Sequence, residues 1–153
     1  MNSDDKEELL LRGDTKALYT SDWSSDGKFI VYRKVGEKTG NDIGMLPLSG
    51  DRQPQNYLAT PFDEYWSKIS PDGRWLAYQS NESGRYEIYV QSFPEPGRRA
   101  TVSQGGGTLP RWRSDGKELY YVGADDKLMA VPVETGTEFK AKREAQLRKR
   151  PAE

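Results

Sequence analysis

Three Asp-Gly pairs, Asp26-Gly27, Asp72-Gly73 and Asp115-Gly116, are the most regular chemistry-bearing feature of the chain. Carboxylates repeated in this way could ligate a metal or act as acid–base pairs. Recurrence argues for another role, since a turn residue must return in every repeat and a catalytic group need occur only once. Asp beside Gly suits a hairpin, because Gly tolerates positive φ and Asp can bond its own turn backbone. All six residues are therefore read as structural turn positions. Asp22, Asp63 and Glu64 stand near the first strand of two of the repeats, where loops could gather an oxygen-liganded cation. No loop has the EF-hand spacing, so no metal is expected.

Gly105-Gly106-Gly107-Thr108 superficially resembles a phosphate loop, but it lacks the Lys-Ser/Thr ending and the helix such a loop requires. Tyr65 and Trp66 could line the mouth of a binding surface, where aromatics anchor partners. With Arg111 and Arg113 they form the expected partner-binding set. Arg98 and Arg99 read as solvated charge. The tail from Lys140 to Arg150 holds six basic residues and one acidic residue, Glu144, without interleaved aromatics. It reads as an outer strand running into a solubilising terminus, and no nucleic-acid partner is expected.

Absent residue types remove whole classes of chemistry. With no His and no Cys, the chain cannot build a Ser-His-Asp triad, a Cys-His pair, a disulfide or a thiolate cluster of its own. No catalytic residue and no cofactor is assigned, and the chain is expected not to be an enzyme. Lys and Arg total 23 against 24 Asp and Glu, so net charge gives no pull toward nucleic acid or an anionic membrane. No run approaches the ~20 apolar residues of a membrane-spanning helix, and Met1 to Lys6 is too polar for a signal peptide. The expectation is a soluble, cytoplasmic chain without membrane contact, or a periplasmic or extracellular one if it is part of something longer.

The elements that hold these residues repeat. Trp23 to Tyr32, Ile69 to Tyr78 and Trp112 to Tyr121 share one layout, with Asp-Gly pairs 46 and 43 residues apart. That period matches a four-stranded propeller blade of ~40–50 residues. Each turn is followed by an apolar run (Phe29 to Tyr32, Trp75 to Tyr78, Leu119 to Val122), as expected of a strand covered on both faces. Third strands are expected at Ile43 to Leu48, Tyr86 to Phe93 and Leu128 to Val133. Fourth strands are expected at Gln55 to Thr60, Arg99 to Ser103 and Phe139 to Leu147. Trp23 and Trp112, with Ile69 between them, read as core positions of the first strands. The blades are placed at about 16–62, 63–107 and 108–147, after a disordered 1–7 and before a basic tail at 148–153. Leu9-Leu10-Leu11 suggests a closing strand at 8–12, or the outer strand of a preceding blade.

The Trp-Ser-Ser-Asp-Gly-Lys and Ile-Ser-Pro-Asp-Gly-Arg units, each followed by an apolar strand, resemble the WD-like repeats of TolB-type bacterial propellers. The resemblance covers roughly residues 8 to 147. Ser70 to Phe93, Arg111 to Lys117 and Leu128 to Val133 are also similar to the closing blades of propellers attached to bacterial Ser/Thr kinases. It implies an all-β fold of about three four-stranded antiparallel blades and a protein- or peptide-binding or sensor module. Three blades fall short of the 4–8 that close a propeller. Repeat units need neighbours to cover their apolar faces, so self-association into a six-bladed homodimer is expected. The alternatives are the noncatalytic propeller part of a larger kinase or peptidase, and a propeller that binds a small ligand or glycan.

Overall fold

The computed structural model describes residues 7–13 and 17–142, and all regular structure among them is β. Three four-stranded antiparallel sheets follow one another along the chain. The first comprises β1 (Leu18–Trp23), β2 (Phe29–Val35), β3 (Asn41–Pro47) and β4 (Gln55–Leu58). The second comprises β5 (Glu64–Ile69), β6 (Trp75–Ser80), β7 (Glu87–Ser92) and β8 (Arg99–Thr101). The third comprises β9 (Gly107–Trp112), β10 (Glu118–Gly123), β11 (Leu128–Thr135) and β12 (Phe139–Ala141). Within each sheet the spatial order is the sequence order, so each is a simple meander. No helix long and apolar enough to cross a membrane occurs among the described residues. Residues 1–6 and 143–153, with most of the basic tail, lie outside the described residues.

The Asp-Gly units turn the chain by one recurring device. The Gly27 amide donates to the Ser24 carbonyl (2.9 Å), and Gly73 and Gly116 donate likewise to Ser70 and Arg113. These glycines have φ of 74°, 75° and 73°, while Asp26, Asp72 and Asp115 keep negative φ. The connection is thus longer than a two-residue type I′ turn, which needs positive φ at both central residues. Asp26 accepts from the Ser24 hydroxyl (2.7 Å) and the Lys28 amide (3.0 Å), which holds its carboxyl below the usual range. Asp72 accepts from Ser70 and Arg74 in the same way. In the third sheet Arg113 replaces the serine and bonds Asp115 through its guanidinium, and that carboxyl too is held well below its ordinary range.

The sheets stack face to face, and the two interfaces are the core. Between the first and second sheets, Val31, Ile43, Met45 and Tyr57 meet Ile69, Leu76, Tyr78, Tyr89 and Phe93. Between the second and third, Trp75, Ala77, Ile88, Val90 and Val102 meet Leu119, Tyr121, Val131 and Val133. Polar bonds cross the same seams. Ser25 Oγ donates to the Pro71 carbonyl (2.8 Å), the Ile69 amide to Asp22 Oδ2 (2.8 Å), and the Trp112 indole N–H to the Lys68 carbonyl (2.9 Å).

Two expectations are corrected. Trp23 is 65% exposed, although the equivalent Ile69 is buried and Trp112 packs on Phe139. The repeat places all three on the side that faces a preceding sheet, and no sheet precedes the first among the described residues. Residues 8–12 form no strand. Leu9, Leu10 and Leu11 instead lie by Ile30, Tyr32 and Leu46 on that same uncovered face, with Glu8 paired to Arg52 at 2.8 Å.

The glycine run serves the second seam. A Cβ on Gly107 would come within 2.7 Å of Ser103 Cβ and 2.9 Å of Ile88 Cγ1, both in the buried interface. Around Gly73 there is nothing within 4 Å, so only its backbone conformation resists substitution. Gly73→Ala is expected to cost about 1 kcal/mol, whereas Gly107→Ala is expected to cost about 3 kcal/mol by overpacking. Urea unfolding of the two variants checks the order.

Candidate functional site

The innermost strands, β1, β5 and β9, lie side by side. Each loses register with its partner at the same point in the repeat: between Thr20 and Asp22, between Tyr65 and Lys68, and between Thr108 and Arg111. Bulges of this kind re-aim side chains. Two of the displaced residues, Trp66 and Leu109, occupy the left-handed region with φ of 55° and 57°, and both are 47% exposed. A bulky side chain rarely adopts that conformation, which costs on the order of 1–2 kcal/mol. An exposed tryptophan at a strained bulge gains the fold little, and such strain marks candidate sites of function.

Trp66 borders a cleft of about 330 Å³ between the first two sheets, lined also by Tyr19, Thr20, Ser21, Arg33 and Tyr65. Arg33 holds the cleft together. Its guanidinium carbon lies 3.8 Å from the Tyr19 ring centroid and 5.3 Å from that of Tyr65, so the cation is held between two aromatic faces. Tyr65 packs edge-on against Tyr86, with ring centroids 5.7 Å apart and a hydroxyl–hydroxyl hydrogen bond of 3.2 Å. Lys68 Nζ donates to the Ser21 carbonyl at 2.7 Å and ties β5 to β1 beneath the bulges. The arrangement offers flat aromatic surface around one cation that forms no ion pair with any described residue.

Polar strain gathers at this junction. Among the described residues five buried side-chain atoms lack a hydrogen-bond partner, and four of them (Arg33 Nε, Asp42 Oδ1, Glu64 Oε2 and Ser67 Oγ) belong to β2, β3 and β5. Glu64 is 1% exposed and accepts one short bond from the Thr60 hydroxyl. Burial, with lesser contributions from the Asp42 and Glu82 charges, pushes its carboxyl up to about 7. Asp42 is likewise raised by burial against the bond from Thr39.

The structure brings Tyr65 and Trp66 together but not Arg111 and Arg113. Arg113 is bound to Asp115 and Glu118 on the third sheet, and Arg111 sits on the exposed side of β9. Tyr19, Thr20, Ser21 and Arg33 were not legible as site residues, since nothing in the local sequence announces a bulge or which strands will adjoin. Asp22 and Asp63 hold backbone amides, of Ile69 and Asn41 respectively. No group of three or more Asp or Glu that could hold a metal occurs among the described residues. The Gly106 amide donates to Glu87 Oε1 (3.0 Å), so a carboxylate already occupies the place a phosphate would take in the glycine run. Arg98 pairs with Glu138 and Arg99 with Glu82.

Two measurements follow from this geometry. Glu64 takes up a proton on folding between about pH 4.5 and 7, so it disfavours the folded state increasingly as pH rises through that window. The effect is absent below it and amounts to roughly 3 kcal/mol above it. Glu64→Gln is therefore expected to leave stability unchanged near pH 4 and to raise it by up to about 3 kcal/mol at pH 8, read from denaturant curves at both pH values. Trp66→Gly, which relieves the backbone strain, is expected to unfold within about 1 kcal/mol of the parent. A loss as large as that of a core tryptophan, about 3–5 kcal/mol, would show that Trp66 is there for packing.

No protein-family profile matches the chain, and no curated protein matches it. Solved structures do. A protein described as TolB from Agrobacterium tumefaciens superposes with a TM-score of 0.66 at 18% identity, over 84% of this chain and 50% of its own. TolB from Acinetobacter baumannii gives 0.66 at 20% identity, over 91% of this chain and 35% of its own. The β-propeller domain of the Trilobed protease from Pyrococcus furiosus, described as having an open velcro topology, gives 0.50 at 22% identity, over 84% and 44%. The chain spans half or less of the length of these propellers. Its fold is that of three consecutive blades of a TolB-like β-propeller.

Proposed function

We propose that the chain is a non-catalytic propeller module that binds a protein or peptide partner in the cleft of Tyr19, Arg33, Tyr65 and Trp66. The observation that carries this reading is Trp66, a large aromatic held half-exposed on a strained bulge beside an aromatic-sandwiched cation. Aromatic and arginine anchors of this sort supply most of the energy in protein interfaces. A cleft of about 330 Å³ accepts one bulky side chain with its flanking backbone. The Arg33 guanidinium, closed off on both faces by tyrosine, has only its edge left for a hydrogen-bonding partner group.

Selection of random heptapeptides on the immobilised chain tests the reading. Peptides bound by the parent are expected to lose at least about 30-fold in affinity on Trp66→Gly, measured by fluorescence titration, while a retained melting temperature shows that the fold is intact. If no peptide is retained, or if retained peptides ignore Trp66→Gly, the cleft is not the binding site.

A further inference from the structure

The two ends of the blade stack carry the unmatched halves of contacts that the interior seams complete, and we infer that they close on a second copy of this chain. The repeat supplies the correspondence. Ile43, Ile88 and Leu128 occupy one position of the third strand, as the registers Arg33↔Ile43, Gln79↔Ile88 and Val122↔Leu128 show. The first two are 0% exposed because a blade follows them, whereas Leu128, with no further blade among the described residues, is 79% exposed. At the other end Trp23 stands where Ile69 and Trp112 are covered, and is 65% exposed.

The polar bonds across the seams show the same pattern. The Trp112 indole bonds the carbonyl of Lys68 on the preceding blade. Trp23 has the same place in its blade, and Arg111 has that of Lys68, so the Trp23 indole of one copy is matched by the Arg111 carbonyl of the other. Ser25 in the first turn bonds the carbonyl of Pro71 in the next. Ser114 stands in the third turn where Ser25 stands in the first, and its counterpart is the Ser25 carbonyl of the second copy. Apolar packing matches too. Ile88 lies against the position of a Gly107 Cβ, and the equivalent residues at the ends are Leu128 and Leu18, the latter 38% exposed.

A second copy is the occupant because each free face of this chain complements its other free face. Two copies also provide six blades, in keeping with the 50% of the Agrobacterium tumefaciens propeller that one copy spans. Residues 8–11 border a cleft on the leading face with Leu18, Ile30, Tyr32 and Leu46, while Leu18 and Trp23 stay 38% and 65% exposed. Closure displaces this strap.

Sedimentation equilibrium of the full chain up to about 100 µM tests the inference, with a charge pair placed across the seam. The parent is expected to interconvert between monomer and dimer with no larger species. Leu18→Lys and Leu128→Glu, both at exposed positions, are each expected to weaken association at least tenfold while keeping the parent melting temperature. An equimolar mixture of the two is expected to regain the dimer, since one of its seams is then native and the other joins lysine to glutamate. A chain that stays monomeric throughout overturns the inference, as does a dimer indifferent to both substitutions. Failure of the mixture to recover overturns it as well, by showing that like faces pair. None of these outcomes bears on peptide binding at Trp66.

Discussion

The constraint on which this structure depends is that a twisted sheet with two apolar faces must have both covered. A strand such as β6, buried at every position from Trp75 to Ser80, is possible only between two other sheets. Burying a large apolar side chain contributes on the order of 1.5–3 kcal/mol, so each seam supplies most of what holds its two blades. The hydrogen-bonded meander alone would leave flat apolar surface in water. Stability in such a stack is a sum of units and nearest-neighbour interfaces. The second blade has two interfaces, and the first and third have one each.

The seams also fix the relative rotation of the blades, because they are not purely apolar. Asp22 reaches the Ile69 amide, Lys68 the Ser21 carbonyl and Trp112 the Lys68 carbonyl. Each bond needs its partner at one distance, so the blades cannot slide as greasy plates could. These bonds lie on the inner strands, next to the bulges that set Trp66 and Leu109 in their left-handed conformation. The rigidity of the seam is what permits the strain at the bulge to persist, and the exposed cleft follows from both.

Turns and strands were legible in the sequence because they are local. Asp72-Gly73 needs only its own neighbours to turn the chain, and the apolar run from Trp75 to Tyr78 declares a two-sided strand wherever it lies. Trp23 differs for a complementary reason: its repeat position predicts a covered tryptophan, but cover comes from a neighbouring blade, and the described residues hold none on that side. Tyr65 and Trp66 stand out in the sequence as aromatics near a blade entrance. Their partner Arg33 lies three strands earlier, on β2, and meets them only because β1 and β5 adjoin, a non-local fact. Arg111 and Arg113 looked equivalent to it by charge alone, yet Asp115 and Glu118 had already engaged the second of them.

Unlike end faces restrict what assembly can do. A leading face that fits a trailing face makes a heterologous contact, which either closes into a ring or runs on as a filament. The rotation between blades, fixed by the polar bonds in the seams, decides between the two. Propellers close with 4–8 blades, so under the inferred pairing a three-blade arc meets its own copy after one addition if each seam turns the chain by a sixth of a circle. The strap at residues 8–11 lies on the leading face by Ile30, Tyr32 and Leu46. Beside it Leu46 is 2% and Tyr32 6% exposed, while Leu9 and Leu10 of the strap are themselves 71% and 41% exposed, so the strap shields the middle of the face but leaves it apolar.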